Sequence, residues 1–457
     1  MASSSNTYQT IREVTGNRET MNSLAIVFLF ISAAMLLLLP SRWAPLPLLV
    51  GACYMTLGSG IEVGSFHFPI IRILILAGIV RVMMRGERVS GGMNGLDGLM
   101  LVWSGWVLLS SVFHKEPAEA FKSGLGLVYN ACGIYFLLRI FCQSIDDVMR
   151  LCRCTAVLLV PLAIEMLYEK LSLHNLFSVL GDVGEIPAIR EGRVRAQGPF
   201  AHPIIAGTIG AVCLPLIVPL WRRHRKEAVI GVGACLVIIL ASASSGPVMS
   251  LIAAVGALLM WRYWDQMRLV RWLIVFGYIV LELFMNAPAY YIMARIDFVG
   301  GSSGFHRADL IKSAIEHLPE WWLGGTDYTR HWMVTGVSWS PDHADITNHY
   351  LKMGVTGGVP LMLLFIAVMA KGFSLVGRTM RTAELPQQSR FICWALGASL
   401  FAHATTFMSV SYFDQSFVFI YLTLAAISSV WSVTAREKDR TLSSPPIPDR
   451  LVLARNG

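Results

Sequence analysis

A chain that returns to long apolar runs almost from end to end can fold in few ways. Such runs cover Leu24–Leu39, Leu46–Leu57, Pro69–Met84, Leu99–Phe113, Leu125–Phe141, Leu151–Leu167, Ile204–Trp221, Val229–Leu240, Pro247–Trp261, Val270–Phe284, Val359–Ala370, Phe391–Met408 and Phe417–Trp431. A helix needs about 20 apolar residues to cross a bilayer, and in lipid each segment must satisfy its own backbone polar groups. The expected fold is therefore an all-α, polytopic membrane helical bundle of about 12 or 13 transmembrane helices. Composition agrees: 55% of the 457 residues are hydrophobic and only 14% are charged, against about a quarter charged in soluble domains.

The polar stretches divide the chain. Residues 1–22 form a polar N-terminal segment that does not read as a signal peptide. Residues 23–286 carry transmembrane helices interrupted by an arginine-containing loop at about 169–203. Residues 287–358 form one large polar loop, 359–433 the C-terminal helices, and 434–457 a polar tail. Basic residues in short loops set the orientation. Trp221–Glu227, the turn with Arg262, Arg268 and Arg271, and the turn with Lys371, Arg378, Arg381 and Arg390 are all cytoplasmic in a consistent alternation. The loops at 114–122, 169–202 and 287–358 then fall outside. Topology thus accounts for much of the net charge of +8, and no nucleic-acid role is assigned to it. The eight cysteines lie in or beside apolar runs, which suits neither a disulfide framework nor a cysteine metal site.

Titratable side chains concentrate in the outer loops. Arg190, Arg193 and Arg195 lie where the positive-inside bias disfavours them, and Arg193 and Arg195 share a face if the segment is extended. Guanidinium groups match phosphate oxygens in paired fashion; the competing reading pairs these arginines with Asp182, Glu185 and Glu191. In the large loop, Leu310, Ile311, Ala314, Ile315 and Leu318 follow helical spacing, with Arg307 near the start of that helix. Arg307 is then an anion ligand or a partner of Asp309. Trp321, Trp322, Trp332 and Trp339 suit an interfacial belt or a platform for sugar rings. His343 and His349 lie near Asp342 and Asp345. Without an HExxH-type spacing this cluster points to acid–base chemistry rather than to a metal.

These stretches carry a resemblance. "RVRAQGPFAHP", "FHRADLIKSAIEHLPEWWLGG" and "DITNHYLKMGVTGGVPLMLLF" resemble the O-antigen ligase and exopolysaccharide or O-antigen polymerase family of bacterial inner-membrane proteins, over about Arg193 to Leu364. The resemblance implies a GT-C-like bundle with a large periplasmic loop, and a multi-pass protein of the inner membrane whose active face is periplasmic. It implies a metal-independent glycosyltransferase without cofactors. The donor would be a glycan on undecaprenyl diphosphate, and the acceptor another glycan or lipid A–core. Partners implied are the bilayer and other polysaccharide-assembly proteins, as in lipopolysaccharide or exopolysaccharide biosynthesis. Carried onto this chain, Arg193, Arg195, His202, Arg307 and Tyr350 bind substrate. His349, with Arg307, Asp345 and His343, performs the chemistry. Many relatives read His-Asn-x-Tyr-Leu where this chain has Thr347-Asn348-His349-Tyr350-Leu351, so His349 is assigned by nearness and His343 stays its rival. Many also have an arginine where this chain reads Ser244-Ser245-Gly246.

The residues suit that chemistry independently. A diphosphate leaving group needs fixed positive charge, and an attacking hydroxyl needs a base. The rival class is a transporter or flippase using Glu165, Glu282 and His403 as intramembrane proton carriers. Transporters concentrate polar groups near mid-membrane, whereas this chain concentrates them in outer loops.

Overall fold

A computed structural model describes residues 22–63, 66–89, 91–292, 304–337, 340–382 and 385–443. The polar segment 1–21, the tail from 444, and Trp339 lie outside the described residues. The apolar runs all lie on helices. These are α1 (Ser23–Leu38), α2 (Pro45–Tyr54), α3 (Ile70–Arg85), α4 (Gly95–Ser110), α5 (Pro117–Phe141), α6 (Ile145–Ser172), α7 (Pro203–Ile217), α8 (Arg225–Ala241), α9 (Ser245–Leu259) and α10 (Met267–Phe284). After the large loop come α13 (His349–Met380), α14 (Gln387–Thr406) and α15 (Phe417–Ser443). Among the described residues, six helical segments are long and apolar enough to cross a membrane by length and composition. The protein is an all-α helical membrane protein.

Sequence grammar explains the ends. Asn94 caps α4 by accepting from the Leu96 and Asp97 amides, while Asp97 accepts from the Asn94 amide in return. Ser144 caps α6, and Gly86 ends α3 in the left-handed conformation. Asp97, fully buried, accepts from the Tyr135 hydroxyl at 2.6 Å and lies 3.6 Å from Arg139, which also bonds Ser432. A buried charge must be partnered, and this group ties α4, α5 and α15 together.

Among the described residues three two-stranded hairpins sit between helices: β1–β2 (Gly60–Val63, Phe66–Pro69), β3–β4 (Ala188–Arg190, Arg193–Arg195) and β5–β6 (Gly336–Val337, Ser340–Ala344). The large loop is itself folded, with the expected amphipathic helix present as α11 (Gly304–Glu316), followed by α12 (Leu318–Trp321). α11 buries Ala308, Leu310 and Ala314, one stripe of the spacing read from the sequence. α10 differs from its neighbours: it carries Arg268, Arg271 and Glu282 and buries no residue.

α13 is one element by its ends but bends at Gly357 and Gly358, where φ/ψ leave the helical region before Pro360. Close approach there serves the large loop rather than a neighbouring helix alone. A Cβ on Gly354 would meet the Trp321 ring at 2.6 Å, and one on Gly358 would meet the Leu323 carbonyl oxygen at 2.2 Å. Gly358 also sits at φ +76°, which L side chains rarely adopt. Gly358→Ala is expected to cost about 2–5 kcal/mol through strain and overlap. Faster proteolysis within 304–337 is the measurement, and an unchanged cleavage rate would contradict the docking described.

Candidate functional site

The loops that the basic-residue alternation puts on one side converge. The α4–α5 turn, the β3–β4 hairpin, the large loop, the start of α13 and the α14–α15 connection together enclose a cavity of about 1260 Å³. Each wall is held by identifiable bonds. His114 lies 2.5 Å from Asp327 through Nδ1 and 3.0 Å from the Thr356 carbonyl through Nε2, and Asp327 also accepts from the Lys115 amide. The Thr326 amide donates to Val355 and the Val359 amide to Trp322. The large loop is thereby stapled onto α13 and the α4–α5 turn. On the opposite wall, buried Glu169 accepts from the Gln197 and Gly198 amides, and Glu165 accepts from the Leu176 amide. Asp414, which burial raises above its usual range, accepts from the Ala201 and Ser416 amides.

The hairpin wall is basic. Arg195 is buried, lines the cavity and donates from Nη2 to Ser244 Oγ at 2.8 Å. Arg190 lines it beside Arg195, and Arg307 enters from α11. Among the described residues Arg190 and Arg195 make no salt bridge with Asp182, Glu185 or Glu191. Glu185 instead faces His174 at 3.3 Å. Asp309, the alternative partner for Arg307, accepts from the Tyr291 hydroxyl. Burial, and then the Arg190 charge, hold Arg195 below its ordinary value. Like charges gathered in a partly desolvated wall favour an anionic occupant.

Arg193 and Arg195, two apart on extended β4, share a strand face, but their surroundings differ. Arg193 is exposed and does not line the cavity; Arg190, its cross-strand partner, does. The hairpin turns the chain back at Glu191–Gly192, both at positive φ, which brings the two strands together and admits only part of the arginine set.

His202 lines the cavity and caps α7, its Nδ1 accepting from the Ile204 amide at 3.1 Å. Burial, followed by Arg195 and Arg190, pushes it down to about 4 from 6.5. Unfolded, the ring takes up a proton as pH falls through 6.5; folded, it resists until about 4. The unfolded state therefore binds more protons in that window. The contribution to stability is full above pH 6.5 and is lost as pH falls toward 4. His202→Asn, which keeps a capping acceptor but cannot titrate, is expected to flatten the decline of Tm between pH 6.5 and 4. Identical profiles would remove His202 as its source.

His343 and Asp345 lie on or just beyond β6 and line the cavity with Asp342. His343 Nδ1 lies 2.7 Å from Ser340 Oγ. β6 is fixed by the Thr329 amide donating to Asp342 and the Ala344 amide donating to Thr329 Oγ1.

His349 and Tyr350 require correction. The helix begins at His349 with Asn348 as its cap, so Asp345 lies ahead of it and shares no helical turn with His349. His349 is buried outside the cavity lining, stacked on Phe407 at 4.5 Å, and its Nδ1 accepts from the Tyr412 amide. Its own amide donates to the Phe407 carbonyl. It clamps the start of α13 to the α14–α15 connection. Tyr350 donates to the Ala404 carbonyl and likewise stays out of the lining. Helical geometry dictates this: the positions just inside the apolar helix face its packed neighbours, while Lys352 lines the cavity. Lys352 donates to the Tyr412 carbonyl at 3.1 Å. Sequence reasoning missed Lys352 and the His114–Asp327 pair, and it named Arg190 among the loop arginines without carrying it into the site. A lysine in the first turn of an apolar helix was the one local signal available.

Glu165, Glu282 and His403, the residues the transporter reading would use, each make a local hydrogen bond. Glu165 braces the 176 region, Glu282 accepts from the Ala289 amide, and His403 Nδ1 lies 2.9 Å from the Tyr412 hydroxyl. No family model, no curated protein and no solved structure matches this chain.

Proposed function

We propose that this protein is an inverting glycosyltransferase of cell-surface polysaccharide assembly, acting at the periplasmic face of a bacterial inner membrane. The observation that supports this reading is one cavity with a basic hairpin wall and a His/Asp strand wall. Arg195 and Arg307, assisted by Arg190 and Lys352, hold the diphosphate of an undecaprenyl-diphosphate-linked glycan. Their charge and forked donors stabilise the leaving group as negative charge builds on it. His343 takes the place first given to His349. The acceptor hydroxyl oxygen attacks the anomeric carbon, its proton passes to His343, and the carbon–oxygen bond to the diphosphate breaks with the electron pair leaving on the phosphate. A single displacement of this kind inverts the anomeric centre. Asp345 and Asp342, on the same wall, are placed to orient an acceptor sugar.

The family resemblance along Arg193–Leu364 supports the same substrate class, with ligation onto lipid A–core and polymerisation of repeat units as the two forms of the reaction. The test is direct transfer. Purified full-length protein, given a lipid-diphosphate glycan and a glycan acceptor, is expected to release undecaprenyl diphosphate and form a glycosidic product without added metal. Glycan-lipid crossing a vesicle bilayer with no product formed would replace this reading with a flippase.

A further inference from the structure

Away from the cavity, the large loop gathers a second set of ionisable groups. His317 closes α11, Glu320 lies on α12, and His331 sits in the helical turn Arg330–Trp332. His317 Nδ1 is 2.8 Å from Glu320 Oε1, and His331 Nε2 is 2.9 Å from Glu320 Oε2. Their ligand atoms all lie within 4.8 Å of one another, and none of the three residues lines the cavity. From this geometry we infer that His317, Glu320 and His331 form a binding site for a Zn²⁺-class divalent ion that clamps the large loop.

Three features favour a metal over a hydrogen-bonded triad alone. The donor set is two imidazoles and one carboxylate, which suits zinc-class ions and disfavours Mg²⁺ or Ca²⁺. Ligand atoms about 2.0–2.1 Å from a tetrahedral zinc stand about 3.3 Å apart, so small rotations of these side chains admit the ion. The rings and the carboxylate are also braced from behind. His317 stacks parallel on Trp332 at 5.9 Å, His331 stacks on Tyr328 at 4.8 Å, and Trp332 Nε1 donates to Glu320 Oε2 at 3.3 Å. Outer partners of this kind set ligand orientation. All three side chains are about one-third exposed, which leaves room for water to complete the coordination shell.

A clamp is useful at this place. Among the described residues the loop's own buried apolar cluster is Ala314, Trp321 and Trp332, with Ala308 and Leu310 also buried on α11, and small units need a staple. The ion would join α12 to the turn at 330–332 and stiffen the intervening chain, which carries Asp327 and Tyr328 to the cavity wall. The role is structural and independent of the transfer chemistry. On binding, the imidazole nitrogens now facing Glu320 present lone pairs to the ion, so affinity falls as the rings protonate.

The experiment uses full-length protein purified with a histidine-free tag, stripped with chelator and titrated with Zn²⁺ by calorimetry and with Co²⁺ by visible absorption. One ion per chain is expected, with d–d bands of a nitrogen/oxygen site and a Tm raised by Zn²⁺. His317→Ala and His331→Ala are expected to weaken binding at least about tenfold, and so is the near-isosteric Glu320→Gln, which guards against misfolding of the smaller variants. His174→Ala, at an exposed histidine elsewhere, should bind as wild type. No saturable binding of one ion per chain, or wild-type affinity in all three site variants, overturns the proposal.

Discussion

Arg195→Ala and Arg307→Ala are each expected to lose about 10²–10³-fold in kcat, the scale seen when one preorganised donor to developing negative charge is removed. The two arginines reach the cavity from different elements, the β3–β4 hairpin and α11. Their effects should therefore appear separately and compound in the double variant. Arg195 is anchored by Ser244, so Ser244→Ala should give a milder loss by releasing the guanidinium without deleting it. Lysine at either position should rescue poorly, since it offers a point charge where the diphosphate calls for a fork. The assay is single-turnover transfer on protein shown to be monodisperse. Wild-type rates in both alanine variants would place the phosphate site elsewhere.

His343→Ala is expected to lose about 10²–10⁴-fold in transfer, the usual contribution of a general base, with little change in Tm because the side chain is only half-buried on a hairpin. His349→Ala should behave in the opposite sense. It removes a ring stacked on Phe407 and edge-on to Phe365, and leaves the Tyr412 amide without its acceptor. A cost on the order of 2–4 kcal/mol in stability is expected from the lost packing and hydrogen bond, with activity recovering at low temperature. Measuring transfer and Tm together separates the two residues. A large rate loss at His349 with unchanged Tm would restore it as the base, and an active His343→Ala would withdraw the histidine mechanism altogether.

Arg193 and Tyr350 show why the site was only partly legible. Strand alternation correctly put Arg193 and Arg195 on one face, yet the local period says nothing about how far along that face the cavity extends. Likewise, apolar periodicity located the start of α13 but not which side of its first turn meets the α14–α15 connection. Lys352, and the choice of Arg190 over Arg193, could be recognised only once separate elements were brought together.

By itself the sequence determined the class of fold, the positions of the apolar helices, the folded helix within the large loop and the segregation of titratable groups into a few polar stretches. Those properties follow from local physics: a helix in lipid must satisfy its own backbone, apolar spacing selects a helical face, and charged side chains avoid hydrocarbon. Tertiary structure alone decided that three polar stretches and the 409–413 connection share one cavity, that His343 lines it, and that His349 packs on Phe407 outside its lining. The reason is that burial of any one side chain depends on contacts made across long separations in the chain. His349 to Tyr412 and Asp414 to Ala201 are such contacts, and no window of neighbouring residues contains both partners.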